Sequence, residues 1–213
     1  TLPDCPDQHV LFPWRWELES DEGDCYLFSS ADGWTWSRVP GGPVVERGTP
    51  GTPDGAYVVC SPNLVELPGE RWGIAYHGWP IPHKYPGRDL SKRTGLFPGV
   101  PDCQGYATWP KGRLVALECR NEGSFATVGL VPPGGSIRIN ATIRPAGYIR
   151  VEVRRLDGVD LPGRTFADCD PLVGDGLSLP VTWGGEESLN HNGAPIVLRF
   201  QMRQATLYGV EFV

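Results

Sequence analysis

No apolar run in the 213 residues is long enough to cross a bilayer as a helix. Basic residues are not in excess either. Nineteen Lys and Arg against 25 Asp and Glu leave a formal charge of −6, which gives no electrostatic footprint for nucleic acid or an anionic membrane surface. No two of the six cysteines form a CxxC pair, the usual signature of a structural zinc site. The motifs GxSxG, HExxH, GxxxxGK[ST] and a helix-opening GxGxxG are all missing. With His77 and His83 lacking a carboxylate in register, neither a metal nor a cofactor is expected. The chain opens at Thr1 without an initiator Met or a charged-then-apolar leader. That leads us to expect a removed leader or a longer parent protein.

What is abundant is punctuation. The 28 Gly and 22 Pro break almost every hydrophobic run into short pieces, and eight Trp argue against disorder, so the fold expected is all-β. In the first half, 9–13, 16–19 and 25–29 read as strands, with a turn at 20–24. Ala31-Asp32-Gly33 reads as a tight hairpin turn and Trp34–Val39 as its returning strand. After a Gly/Pro loop at 41–55 come strands at 56–61, 64–67 and 72–77. Trp14 and Trp16, like Trp34 and Trp36, are two residues apart, so each pair is expected to share a strand face and pack in the core.

These segments repeat. VLFPWRWEL (10–18) lies over VCSPNLVEL (59–67) at an offset of 49 residues, matching Pro13 with Pro62, Glu17 with Glu66 and Leu18 with Leu67. Each copy follows a Pro-Asp pair, Pro3-Asp4 and Pro53-Asp54. A period of about 50 residues with four short strands is the size of a propeller blade.

Residues 86–104 are polar, Gly/Pro-rich and without alternation, which places a boundary there: 1–95 as propeller blades and 96–213 as a second domain. Beyond it, 113–118, 124–130, 136–143, 148–156, 177–183, 195–203 and 206–213 alternate as half-buried strands of an antiparallel β-sandwich. The Arg and Glu residues alternating along 150–154 read as a solvated face. Asn140-Ala141-Thr142 forms a glycosylation sequon, which counts only in a eukaryotic secretory route. Six cysteines fit an oxidised, exported protein but allow 15 pairings, and none has a sequence context that makes it a nucleophile.

The stretch 48–84 gathers the residue types best suited to chemistry. Trp79 offers an apolar ring face to the C–H side of a sugar, His77 and His83 can exchange hydrogen bonds with hydroxyls, and Lys84 can hold an anionic substituent.

SSADGWTWSRV, a Gly-rich loop with an acidic residue, and WGIAYHGWPIPHKYP together resemble the last blades of the bacterial glycoside-hydrolase-like five-bladed β-propellers, relatives of the fructosidase and arabinanase propellers. GYATWPKGRLVALE, GSFATVGL, SIRINATI, GYIRVEVRRLDG, FADCDPLVGD and PIVLRFQMRQATLYGVEFV resemble the β-sandwich that follows the propeller in those proteins. The resemblance implies an extracellular carbohydrate-active protein with acidic residues near the start of each innermost strand. That makes Asp54 the candidate catalytic carboxylate, with Asp4 at the equivalent place, and His77, Trp79, His83 and Lys84 the candidate substrate contacts. Hydrolysis needs two carboxyls, about 5 Å apart for retention and farther apart for inversion. About 95 residues supply roughly two blades where five need about 250. Another polypeptide or subunit, or a missing part of this one, is therefore expected to complete the propeller. The alternative class is a non-catalytic carbohydrate-binding module or an assembly subunit.

Overall fold

The computed structural model describes residues 1–3, 5–84 and 99–213. The described residues contain no helix and form thirteen strands, so the fold is all-β with several sheets, as expected. They divide into two compact units, Thr1–Lys111 and Gly112–Val213. Asp4 and most of the polar stretch read as a boundary lie outside the described residues. The observed division falls at 111/112 rather than 95/96, because Cys103–Pro110 completes a sheet of the first unit.

The first unit holds two antiparallel meanders built on one plan. In the first, β1 (His9–Leu11) and β2 (Trp14–Glu17) run against β4 (Phe28–Ser30) and β3 (Glu22–Cys25), with β5 (Ser37–Arg38) beside β4. In the second, β6 (Tyr57–Cys60) and β7 (Val65–Leu67) both lie along one side of β8 (Arg71–Trp79), and β9 (Cys103–Pro110) lies along the other. Pro13 and Pro62 each sit where the first arm of a hairpin is interrupted, as befits a residue with no N–H to give the ladder. Asp21 and Glu70, also 49 residues apart, each end the hairpin turn at positive φ (65° and 53°). The offset read from the sequence is thus carried by the backbone. One parallel pair, Gly23↔Tyr57, joins the meanders edge to edge, while β1, β4 and β5 form a separate three-stranded sheet.

The expected returning strand Trp34–Val39 is cut to Ser37–Arg38. The Asp32 carboxylate accepts hydrogen bonds from the amides of Trp34 (2.8 Å) and Thr35 (2.7 Å) and from the Ser30 hydroxyl (2.8 Å), which folds those residues into the turn. Trp34 consequently stands 89% exposed instead of packing in a core.

In the second unit β10 (Leu117–Ala126), β11 (Ile137–Arg155), β12 (Asp175–Pro180) and β13 (Ile196–Phe212) form one antiparallel sheet in the order β10-β13-β11-β12. Two strands read as pairs are single long ones. In β11 the segments 137–143 and 149–153 continue through a bulge, and in β13 an irregularity at Gln204, φ 45°, moves the buried set from even to odd positions. Ile137, Ile139, Ile149, Val151, Val153, Leu198 and Phe200 are therefore buried on one face. Burying each such side chain contributes about 1.5–3 kcal/mol. Cys169, Leu172, Val181, Trp183 and Leu189 from the connecting segments complete this core, and the Trp183 indole donates to the Val151 carbonyl at 2.9 Å. The face read as solvated is partly closed, since Glu152 is buried, accepts from Arg199 (2.6 Å) and forms an ion pair with Arg154 (2.8 Å).

Candidate functional site

Alternation along β8 places His77 and Trp79 on one face and Tyr76 and Gly78 on the other. Tyr57 is the registered partner of Trp79 on β6, and Trp16 is the registered partner of Gly23 on β3. Since Gly23 in turn pairs with Tyr57, three strands, β2, β6 and β8, bring their rings to the same face, with β3 between β2 and β6.

The rings form a continuous row. His77 stacks on Trp79 (3.9 Å between centroids, 12° between planes) and Trp79 on Tyr57 (4.5 Å, 14°). Tyr57 meets Trp14 at 5.3 Å, and Trp14 stacks on Trp16 at 6.2 Å. Gly23 makes the crossing possible, because a Cβ there would fall 1.7 Å from Trp14 Nε1. The indole of Trp14 thus occupies the place where β3 would carry a side chain. Two parallel rings at such distances cannot share one face of Trp79, so His77 and Tyr57 cover its two faces. Trp79 presents only an edge outward.

His83 closes on the far end of the row. Its ring lies 4.8 Å from Trp14, 5.7 Å from Trp16 and 5.7 Å from Tyr57, and the Lys84 ammonium sits over Trp16 at 4.4 Å. The anchor is Asp21, 4% exposed. Its carboxylate accepts from the Trp16 indole (2.9 Å) and the Lys84 amide (2.7 Å), and its carbonyl accepts from the His83 amide (3.2 Å). Burial, followed by the Asp21 charge, pushes the Tyr57 hydroxyl up.

His77, Trp79, His83 and Lys84 are therefore brought together on one face. Asp54 is not with them. A Cβ on Gly78 would fall 2.3 Å from the Asp54 Cβ, which puts Asp54 against the opposite face of β8. There its carboxylate accepts from the Thr52 hydroxyl (2.9 Å) and the Tyr76 hydroxyl (3.4 Å). Burial first, and then the Asp54 charge, push both the Tyr76 hydroxyl and the Cys103 thiol up. The carboxylate at the His77 end of the row is Asp102, which accepts from His77 Nε2 at 2.7 Å and fixes the imidazole.

At the His77 end lies a depression of about 390 Å³, lined by residues 59–61, 75–77 and 104–106 of three neighbouring chain segments. By alternation Val59, Ser61, Ala75, His77, Gln104 and Tyr106 belong to the face of the row. The small Ala75 leaves the centre low. No carboxylate lines it among the described residues, and these residues also include no cluster of three or more His, Cys, Asp or Glu able to hold a metal.

Sequence reasoning missed Asp21, Tyr57, Asp102, Gln104 and Tyr106. Tyr57 was within reach of a register argument once β6 and β8 were paired. Gln104 and Tyr106 fall beyond the boundary that the sequence places at 95/96, so nothing in the sequence sets their strand against β8. Asp21 carried no sequence signal beyond its turn. Comparison with known proteins finds no matching family model, no matching curated sequence and no matching solved structure.

Proposed function

We propose that the first unit binds carbohydrate in the depression beside His77. The observation that carries this reading is the composition of that hollow on the face of the row: two ring-bearing side chains, His77 and Tyr106, with the small Val59 and Ala75, the Ser61 hydroxyl and the Gln104 amide alongside. A sugar ring needs both kinds of contact, apolar surface for its C–H face and hydrogen-bonding groups for its hydroxyls. His77 is pre-oriented, held on one side by Trp79 and at its edge by Asp102. Trp79 acts through His77 in this reading, as a backing ring rather than a platform.

The wider assignment is a secreted glycoside hydrolase-like protein, with the two meanders as blades of a propeller completed by another polypeptide or by residues outside this sequence, and with the second unit as its β-sandwich. The common plan of the two meanders supports the blade assignment. Binding is favoured over hydrolysis by this chain alone, because Asp54 and Asp102 lie on opposite sides of β8 and hydrolysis needs two carboxyls converging on one bond.

The test is a glycan panel titrated against the wild-type chain and Tyr106→Ala. Tyr106 is 62% exposed, so its truncation leaves the fold in place. One lost ring contact corresponds to roughly a tenfold weaker Kd. A panel with no binder, or a binder that Tyr106→Ala holds equally well, overturns the assignment.

A further inference from the structure

We propose that Cys60 is a thiol-exchange site and Cys25 its resolving partner, so that a low-molecular-weight disulfide converts the two into a disulfide linking β3 to β6. All six thiols are free in the structure. Among the described residues only these two cysteines are hydrogen-bonded to each other. The Cys60 amide donates to Cys25 Sγ at 3.2 Å, the Cys60 thiol also bonds the Cys25 side chain, and Cys25 Sγ donates to the Val58 carbonyl at 3.3 Å. Cys119 and Cys169 donate to the backbone carbonyls of Met202 and Asp170 instead. The pair joins neighbouring strands, one residue along from the registered pairing set by Gly23↔Tyr57.

The two thiols differ in access. Cys25 is fully buried, whereas Cys60 is half-buried. A reagent R–S–S–R therefore meets Cys60 first. The Cys60 thiolate attacks one sulfur of R–S–S–R, forming Cys60–S–S–R and expelling R–S⁻, which takes up the proton Cys60 released. Cys25, as its thiolate, then attacks Cys60 Sγ and expels the second R–S⁻, which is protonated in turn. Two protein thiols have lost two protons and two electrons, and R–S–S–R has become two R–SH.

The local bonding sorts the roles. Hydrogen bonds from the Cys60 thiol, and secondarily from its amide, hold the Cys25 thiol below its ordinary range against the opposing effect of burial. Donating to Cys25, together with burial, pushes the Cys60 thiol up. The amide donor to Cys25 survives capping of Cys60, whereas the thiol donor is lost with it.

The cross-link would span 35 residues and fasten the two meanders beside the Gly23↔Tyr57 pairing that joins them. It does not depend on what the depression binds. The test is to incubate the reduced full-length chain with oxidised glutathione, alkylate the remaining thiols and map peptides without reduction. The expected result is a Cys25–Cys60 linked peptide in the wild type, with Cys25→Ala accumulating the glutathione adduct at Cys60. Oxidation should also raise Tm by several degrees. Both thiols still open to alkylation after equilibration, or Cys60 linked to a different cysteine, would overturn the proposal. The wild-type map decides this by itself, whether or not the variant folds.

Discussion

Gly23 shows how one missing side chain can organise a surface. Its neighbours are large, and the indole of Trp14 lies where its Cβ would be. Gly23→Ala therefore displaces Trp14 from Tyr57 and His83, breaking the row in its middle. The cost expected for inserting a methyl group into such a fitted contact is about 1–3 kcal/mol. Near-UV circular dichroism should lose intensity as Trp14 leaves its partners, and chemical denaturation should report the lost stability. A variant with unchanged spectrum and midpoint would show that the row tolerates the change. Asp21 illustrates the converse, a buried carboxylate that accepts from the Trp16 indole and the Lys84 amide, while its backbone carbonyl accepts from the His83 amide. Its role is to position the segment; it does not face the depression.

Among the elements, the turn between β4 and β5 makes a prediction in acid. The Thr35 and Trp34 amides, with the Ser30 hydroxyl, hold the Asp32 carboxyl well below the usual carboxylate range. In the second unit, Asp168 is lowered by Thr165 and Asp170 by Thr182 and Gly185. A folded pKa below the unfolded value, about 3.9, means that the stabilisation is present above that value and is lost as pH falls through the folded pKa. Tm should therefore hold between pH 6 and about pH 4, then drop. Asp32→Asn cannot titrate and should lose less than the wild type over the acid limb, so parallel curves for the two proteins would count against the turn.

The same turn marks the limit of what local sequence reveals. The Ala31-Asp32-Gly33 signal located it correctly, but alternation in the next residues read as strand, and only the carboxylate's reach to Trp34 and Thr35 explains why they are not. Likewise the repeat at 49 residues and the shared face of Trp14 and Trp16 were legible, because they follow from spacing along one chain. The pairing of β9 with β8 joins segments across residues 85–98, and nothing in either segment encodes its partner. The division of Asp54 from His77, and the contact of Cys25 with Cys60, follow from such pairings, so the sequence held the residues of the site but not their grouping.

For the molecule as a whole, the two compact units carry separate cores, and their unfolding should be separable by mutation. Phe200 is fully buried in the second unit and stacks on Phe125 at 4.7 Å. Truncation to Ala should cost about 3–5 kcal/mol. In calorimetry, Phe200→Ala should lower one transition and Gly23→Ala the other. A single transition that both variants shift together would mean the units unfold as one.

The irregularity at Gln204 has a consequence for how the chain tolerates change in length. Ahead of it the buried residues of β13 fall on even numbers, and after it on odd ones. The bulge behaves like a frameshift suppressor written into a strand. Removing Gln204 would leave Ala205 and Leu207 two and four residues after Met202, the spacing of an uninterrupted strand and still inward, whereas a deletion elsewhere in β13 would turn one end of the strand outward unless an insertion at the bulge restored the frame. Single length changes should survive at the bulge, and elsewhere in this strand only in compensated pairs, with the bulge as the place where the count is reset.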